Sequence, residues 1–404
     1  ALAAGAFGAK FLAGRRRSPS TTLIWLLAAS GRLCSLTPHA FVFWSDGLRY
    51  LGGQSDFAVY LMQVSASLVL LVGVPTAVMG ALFPYLYLLT HSQTAGPGDL
   101  LGRLNATNTL GAVAGSLVTG FLLLEWLGLW DCIFLLSGIY LLLAFALSLK
   151  ARPGPDLSSR RNYPGMALAS SCVMIALLLA TTQRLPVVRL ASDEALLDLW
   201  HGSGGTVAVV ERESVRRIKL NNWYSLGGSG ATEMEQMQSH LPLHLHPGAR
   251  DVFYLGLGTG ITSGAALRYP VERVVVAELV PEVIEAASKY FAAESQGLFD
   301  DKRVTIVPED GRVLLRGGNE EYDLIIGDLF VPWKSGVSSA YSLEHFATVY
   351  QSLRPSGLFF QWIPLYQVTE RELKVIVTTM QAVFPQLTLW RGDFFSRQPM
   401  LALV

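Results

Sequence analysis

Charge is scarce in this chain. Only 15% of its 404 residues are Asp, Glu, Lys or Arg and 51% are apolar, whereas an ordinary soluble domain is about a quarter charged. That balance excludes a disordered chain, a collagen-like chain and a globule solvated on all sides. An excess of one sign is also missing: 31 basic residues balance 31 acidic ones, so no overall field draws in nucleic acid. Cysteine is rare. Cys34, Cys132 and Cys172 lie apart in apolar runs with no Cys-x-x-Cys pair, which argues against a disulfide framework or a zinc site. No Gly-Lys-Ser/Thr follows the glycine-rich loop at Ser225–Gly230, and there is no Gly-x-Ser-x-Gly, so neither a P-loop nor a hydrolase elbow is indicated. His240, His244 and His246 have no further ligand near them in sequence, and they read as helix-face and turn residues.

What charge there is lies unevenly. Residues 1–181 carry 11 Lys/Arg and 6 Asp/Glu, while residues 182–404 carry 20 and 25. This step marks a membrane half followed by a water-facing half. Apolar segments fall at 1–13, 22–44, 57–78, 106–127, 129–149 and 164–181, most of them near the ~20 residues that cross a bilayer. The third continues to about Leu89, with a break expected near Pro75 or Pro84. Gly111-x3-Gly115 and Gly120 suit close helix approach. Trp44, Trp126 and Trp130 sit at segment ends, as interfacial aromatics do. Arg32 lies within the second segment and is expected to snorkel or pair inside a bundle. Loops 15–20, 91–104 and 150–163 hold eight basic residues, against only Arg49 in the opposite loops. The basic set belongs in the cytoplasm, so if 164–181 crosses, the second half lies outside. The chain begins inside an apolar run, and further residues are expected before Ala1.

The second half reads as a linker over 182–204, a small β unit with its connecting helix over 205–250, and an α/β domain over 251–404. Gly205–Glu211 and Val215–Leu220 form a hairpin signal. Thr232–Leu245 reads as a helix with Met234, Met237, Leu241 and His244 on one face. From Asp251 onward, short apolar strands near 252–257, 274–277, 304–307, 324–326 and 358–362 alternate with helical patterns, and further strands are expected at 387–390 and 400–404. This is a doubly wound sheet. Its first strand runs into Gly256-Leu-Gly258-Thr-Gly260, a turn in which glycine permits tight bending and close ligand approach. Twenty residues past Gly258, Glu278 ends strand two, where a carboxylate can accept ribose hydroxyls. Asp310 follows strand three, where an acid can accept from an adenine amino group. Asp328 follows strand four, and Gln361 lies in strand five. All stand at the carboxyl edge, where open sheets bind ligands.

Residues 205–404 resemble the spermidine synthase fold, a class I methyltransferase-like domain. Nearly the whole chain resembles bacterial proteins that fuse such a domain to a transporter-like (MFS) membrane half. The resemblance is carried by VPTAVMGALFP, GRLNATNTLGAVAGSLVTGFLLLEWLG, SHLPLHLHP, LGLGTGITSGAALRYPVERVVVAEL, PEDGR, YDLIIGDLFVPW and LRPSGLFFQWIPLY. It implies an α-helical transmembrane bundle preceded by more helix than is present. It also implies S-adenosylmethionine or its decarboxylated form as co-substrate. Gly256, Gly258 and Gly260 would line the methionine-nucleoside moiety, with Glu278 on ribose and Asp310 with Gly311 on adenine. Asp328 would deprotonate the attacking amine, and Gln361 and Tyr341 would face substrate; no metal is implied.

The chain departs from the family at two places. Asp-x-x-Asp-Pro becomes Asp328-Leu-Phe-Val331-Pro332, and the family's Tyr-His/Gln-Glu box holds Met234, Glu235 and Gln236. Two readings therefore stand: a membrane-anchored aminopropyl or methyl transferase acting on a small amine, or a non-catalytic subunit of a membrane complex. The partners implied are a lipid bilayer, the amine, and other subunits or a second copy of the chain. The location implied is a bacterial inner membrane.

Overall fold

The computed structural model describes residues 1–13, 19–49, 51, 56–90, 97–150, 185–202, 204–222, 224–330, 336–392 and 398–404. The chain divides into two compact units, Ala1–Arg189 and Leu190–Val404.

The first unit is helical: α1 (Leu2–Ala13), α2 (Pro19–Trp44), α3 (Phe57–Ser67), α4 (Val74–Gly80), α5 (Leu82–Thr90), α6 (Pro97–Val118) and α7 (Leu124–Lys150). The runs Phe57–Leu88 and Gly98–Lys150 are long and apolar enough to cross a membrane, by length and composition. The break expected near Pro75 is a π-helical turn, Leu68–Gly73, and a second interruption falls at Ala81, before Pro84. Proline has no N–H and its ring crowds the carbonyl four residues back, so the preceding turn widens. The second run contains another π turn, Thr119–Leu123, and is broken at Gly128 (φ 76°), where the sequence separates 106–127 from 129–149. Gly111, Gly115 and Gly120, expected at close helix contacts, have open space around them. Close approach occurs instead at Gly5, against the backbone of Ala77, and at Gly31, against Leu141 and Ser137. Arg32 stacks on Trp25, its guanidinium 5.9 Å from the ring centre. Arg15–Arg17, the loop 151–163 and the segment 164–181 lie outside the described residues.

The second unit opens with an antiparallel sheet of β1 (Ala195–Gly202), β2 (Gly205–Arg212), β3 (Val215–Leu220) and β4 (Tyr224–Gly228), paired in that order. The expected hairpin turns through Glu213 and Ser214, both at positive φ, the conformation that tight two-residue hairpins require. The stretch expected as linker holds β1. A register shift between Leu196 and Asp198 interrupts its alternation, and this hid the strand from a period-two reading.

Helix α8 (Thr232–Leu245) leads into a seven-stranded sheet of β5 (Asp251–Leu255), β6 (Arg273–Ala277), β7 (Val304–Val307), β8 (Tyr322–Gly327), β9 (Leu353–Pro364), β10 (Leu389–Gly392) and β11 (Met400–Leu403). The order is β10-β11-β9-β8-β5-β6-β7, with β5 to β9 parallel and β10 and β11 antiparallel. Helices α9 (Ile261–Gly264), α10 (Pro281–Tyr290), α11 (Gly311–Gly317), α12 (Leu343–Gln351) and α13 (Glu370–Gln381) supply the crossovers and flank the sheet. Strand β5 shows why both faces are covered. Val252 and Tyr254 pack into one apolar cluster, and Phe253 and Leu255 into another, on opposite faces, as burial on both sides of a parallel sheet demands. The chain winds outward from β5 through β6 to β7, then returns to β8 on the other side of β5. The ends of β5 and β8 therefore border the crevice where such sheets bind ligands.

Candidate active site

The glycine turn after β5 shapes this crevice. Gly256, Gly258 and Gly260 have φ of 98°, 55° and 78°, a run of left-handed residues that side chains strongly disfavour. The turn aims backbone donors at the end of β6. Glu278 Oε2 accepts from the N–H of Leu257 at 3.0 Å and of Gly258 at 3.4 Å, and its Oε1 accepts from Val280 N–H at 3.0 Å. A carboxylate offers about four acceptor positions, so Glu278 retains one for a ligand hydroxyl rather than the pair that a ribose grip was expected to use.

A cavity of about 1190 Å³ opens over these strand ends and is lined by Gly256, Gly258, Glu278, Asp310, Gly311 and Asp328. Three other residues expected at the site do not line it. Gly260 caps α9 and packs under Leu298 and Phe299. Gln361 is fully buried and donates from Nε2 to the Asp328 carbonyl at 3.1 Å, so it positions the catalytic candidate's backbone instead of meeting substrate. Tyr341 donates its hydroxyl to the Phe330 carbonyl at 2.6 Å and holds the segment after β8. Val331 lies outside the described residues.

Asp310 caps the N-terminus of α11. Its Oδ1 accepts from Arg312 N–H and Nε–H, both at 2.9 Å, and its Oδ2 pairs with the same guanidinium. That pairing holds the carboxyl below its usual range, so Asp310 meets the cavity as an ion pair and not as a lone acceptor for adenine. Gly311 lets α11 lie close to the sheet, since a Cβ there would come within 2.6 Å of Leu255. Asp328 accepts from Leu329 N–H at 2.7 Å. Burial pushes its carboxyl up to about 6; the Leu329 N–H opposes this and the nearby Glu278 charge adds to it. A group poised there takes a proton near neutrality and can release it again.

The sequence reading missed Tyr224, Tyr366, Arg217 and His345 at the cavity, and it named Glu235 only as a residue of the altered family box. Helix α8 buries Met234, Glu235, Gln238, Ser239, Pro242 and Leu243, while Met237 is exposed, so its inward face is partly polar and differs from the expected apolar stripe. Glu235 lines the cavity and burial pushes it up to about 8. Tyr224, Tyr366 and Arg217 also line it. Nothing in a single sequence points at these three, because β3, β4 and the turn after β9 are brought over the crevice only by the fold. His345, on the buried face of α12, lines it too and is held down to about 4 by burial, with Arg312 adding. His240 Nδ1 meets the Tyr269 hydroxyl at 3.0 Å, and His244 packs edge-on against the same ring.

Residues 232–390 match the spermine/spermidine synthase domain family. The chain is 31% identical over 341 residues to a polyamine aminopropyltransferase of Mycobacterium tuberculosis, covering 79% of this chain and 64% of that protein. It is 27% identical over 328 residues to one of Corynebacterium efficiens, covering 77% and 62%. A crystal structure of spermidine synthase from Thermotoga maritima is similar at 23% identity and a TM-score of 0.46, over 52% of this chain and 72% of that one. The chain spans less than two thirds of the length of these curated relatives. Their matched stretches are longer than Leu190–Val404, so they include part of the helical unit. The second unit of this chain therefore carries a spermidine synthase-like domain.

Proposed function

We propose that Leu190–Val404 transfers an aminopropyl group from decarboxylated S-adenosylmethionine to a small amine, with Asp328 as general base, and that Ala1–Arg189 anchors it in a bilayer. The observation that carries the reading is the position of Asp328. It lies at the switch-point crevice, in the same cavity as the glycine turn and Glu278, with a carboxyl that titrates near neutrality. In the reaction the amine nitrogen attacks the methylene carbon beside the sulfonium. A C–N bond forms, the C–S bond breaks, and sulfur leaves as a neutral thioether. The proton shed by the new ammonium passes to the Asp328 carboxylate. Gln361 fixes the backbone from which Asp328 reaches the reacting atoms.

The residues present fit such a donor. Gly256 leaves the floor of the cavity open, with nothing nearer than 3.8 Å to a hypothetical Cβ. Glu278 keeps an acceptor position for a ribose hydroxyl, and the Asp310–Arg312 pair borders the nucleobase end. Methyl transfer from S-adenosylmethionine would use the same pocket, and product analysis separates the two. Membrane anchoring is supported by the two long apolar runs and by the basic loops. If residues 164–181 cross as well, the same loops support a position of the domain on the non-cytoplasmic face of a bacterial inner membrane.

The deciding experiment is calorimetry of the detergent-solubilised chain with 5′-methylthioadenosine, followed by mass analysis of products from decarboxylated S-adenosylmethionine and diamines. Binding with an aminopropylated product supports the reading. No nucleoside binding overturns it and favours a non-catalytic subunit of a membrane complex.

A further inference from the structure

Arg217 has no part in the proposed transfer, yet it lines the cavity. It stands in β3 between Arg216 and Lys219, and both neighbours are committed elsewhere. Arg216 pairs with Glu294 at 2.7 Å and Lys219 with Glu194 at 2.5 Å. Among the described residues, no carboxylate lies within ion-pairing distance of Arg217. Glu194 feels its charge but is bonded to Lys219. On β4, Gly228 stands opposite Arg217 in the sheet register. A Cβ on Gly228 would lie 2.8 Å from Arg217 Cγ, so the arginine stem lies over β4 at a point where no side chain blocks it. Val215, Gly230, Ala231 and Met234 also line the cavity, and none of them offers a guanidinium a carboxylate or a hydroxyl. Glu235 borders the same wall, accepting from Gly228 N–H at 3.1 Å, and burial keeps it protonated at neutral pH.

A cation without a counter-ion at the rim of a cavity attracts an anion and repels a second cation. The same crevice has lost negative charge, since Val331 and Gln236 stand where the resembling family carries acids. We infer that Arg217 is a specificity-determining residue that holds a carboxylate of the acceptor, and that the acceptor is therefore an amino acid, an amine with an acidic group at its far end, and not a diamine. This rests on the transferase reading above. The planar fork of a guanidinium meets a carboxylate through two parallel N–H donors. Chemistry at the other end is unchanged: the amine attacks the methylene carbon, the C–S bond breaks and Asp328 takes the proton. The carboxylate stays unreacted at Arg217. A diamine is then the weaker acceptor, because its free ammonium faces the guanidinium.

The test is calorimetry of the detergent-solubilised full chain, saturated with 5′-methylthioadenosine at neutral pH and low salt. The ligands are 4-aminobutanoate and 6-aminohexanoate, each beside the monoamine and the diamine of the same chain length. Arg217 is exposed in the empty cavity, so its bidentate contact lies between a surface pair and a buried one, worth about ten-fold in affinity. At least one of the two amino acids is expected to bind tighter than its monoamine and its diamine by that factor, and added salt narrows the margin. Arg217→Gln erases the preference while 5′-methylthioadenosine binds as before. Arg217→Lys restores part of it, since lysine keeps the charge but not the fork. A melting curve confirms that each variant is folded. A preference for the diamine, or one for the amino acid that survives Arg217→Gln, overturns the inference and leaves the transferase reading standing. If Arg217→Gln instead weakens S-adenosylmethionine and spares its decarboxylated form, Arg217 reads the donor and the inference falls. If the nucleoside does not bind but the amino acid does so through Arg217, the transferase reading falls and the carboxylate site stands. Binding of neither ligand overturns both.

Discussion

At the scale of single residues, environment decides what each acid does. Glu278 is occupied by backbone donors, Asp310 by Arg312, and Asp328 by little more than one N–H and a nearby negative charge. Proton acceptance by Asp328 needs its ionised form. The rate constant kcat/KM is expected to rise with pH through about 6 and level off above it. Asp328→Asn should lower it by about a hundred- to ten-thousand-fold. A profile that stays flat across that range would rule Asp328 out as the base. Glu278→Ala removes a ligand contact and also frees two N–H groups of the glycine turn. It should weaken nucleoside binding by at least about ten-fold, measured by calorimetry. His345 tests stability instead. Among the described residues neither ring nitrogen has a hydrogen-bond partner, and the side chain is 2% exposed. The unfolded ring binds a proton near 6.5, the folded one only near 4. Between those values the unfolded state holds more protons, so stability falls as pH drops through that window. His345→Phe should raise stability by about 1–3 kcal/mol and flatten that acid slope in denaturant titrations.

At the scale of elements, the crevice depends on close approach between backbones. Gly264 in α9 lies against the main chain of Ser295, where a Cβ would stand 2.1 Å from its carbonyl oxygen. A carbonyl cannot rotate away as a side-chain tip can. Gly264→Ala should therefore cost about 1–3 kcal/mol, the usual range for an overpacked core, with α9 and the glycine turn displaced together. Unchanged stability by chemical denaturation would show that the loop at 295 yields freely. The segment after β8 is held from two sides, by Gln361 on the Asp328 carbonyl and by Tyr341 on the Phe330 carbonyl. These two residues were expected to touch substrate. They shape the element that presents Asp328 instead.

At the scale of the whole molecule, the chain joins an apolar helical unit to an α/β unit richer in charge. If basic loops stay in the cytoplasm and five segments cross after Arg15–Arg17, as the proposed anchoring requires, Leu190–Val404 lies on the opposite side. A cysteine at position 192, in a background lacking Cys34, Cys132 and Cys172, should react with an impermeant thiol reagent in intact cells. Reaction only after lysis, with a control cysteine in the 45–56 loop labelled intact, would put the domain in the cytoplasm.

Much of the second unit was legible in the sequence because its signals are local. Short β-branched runs, the Gly256–Gly260 turn and carboxylates at strand ends each reflect a period or a turn within a few residues. The helix Thr232–Leu245 and the strand Val304–Val307 lie where periodicity places them. Long-range facts were not legible. That Gln361 points beneath Asp328, that Arg312 claims Asp310, and that a register shift conceals β1 depend on which strands become neighbours. Glu235 shows the division most clearly. Sequence can say that it lies on a helix over Thr232–Leu245. Only the fold brings it against Gly227 and Thr259, because burial is a property of what packs on a residue and not of the residue itself.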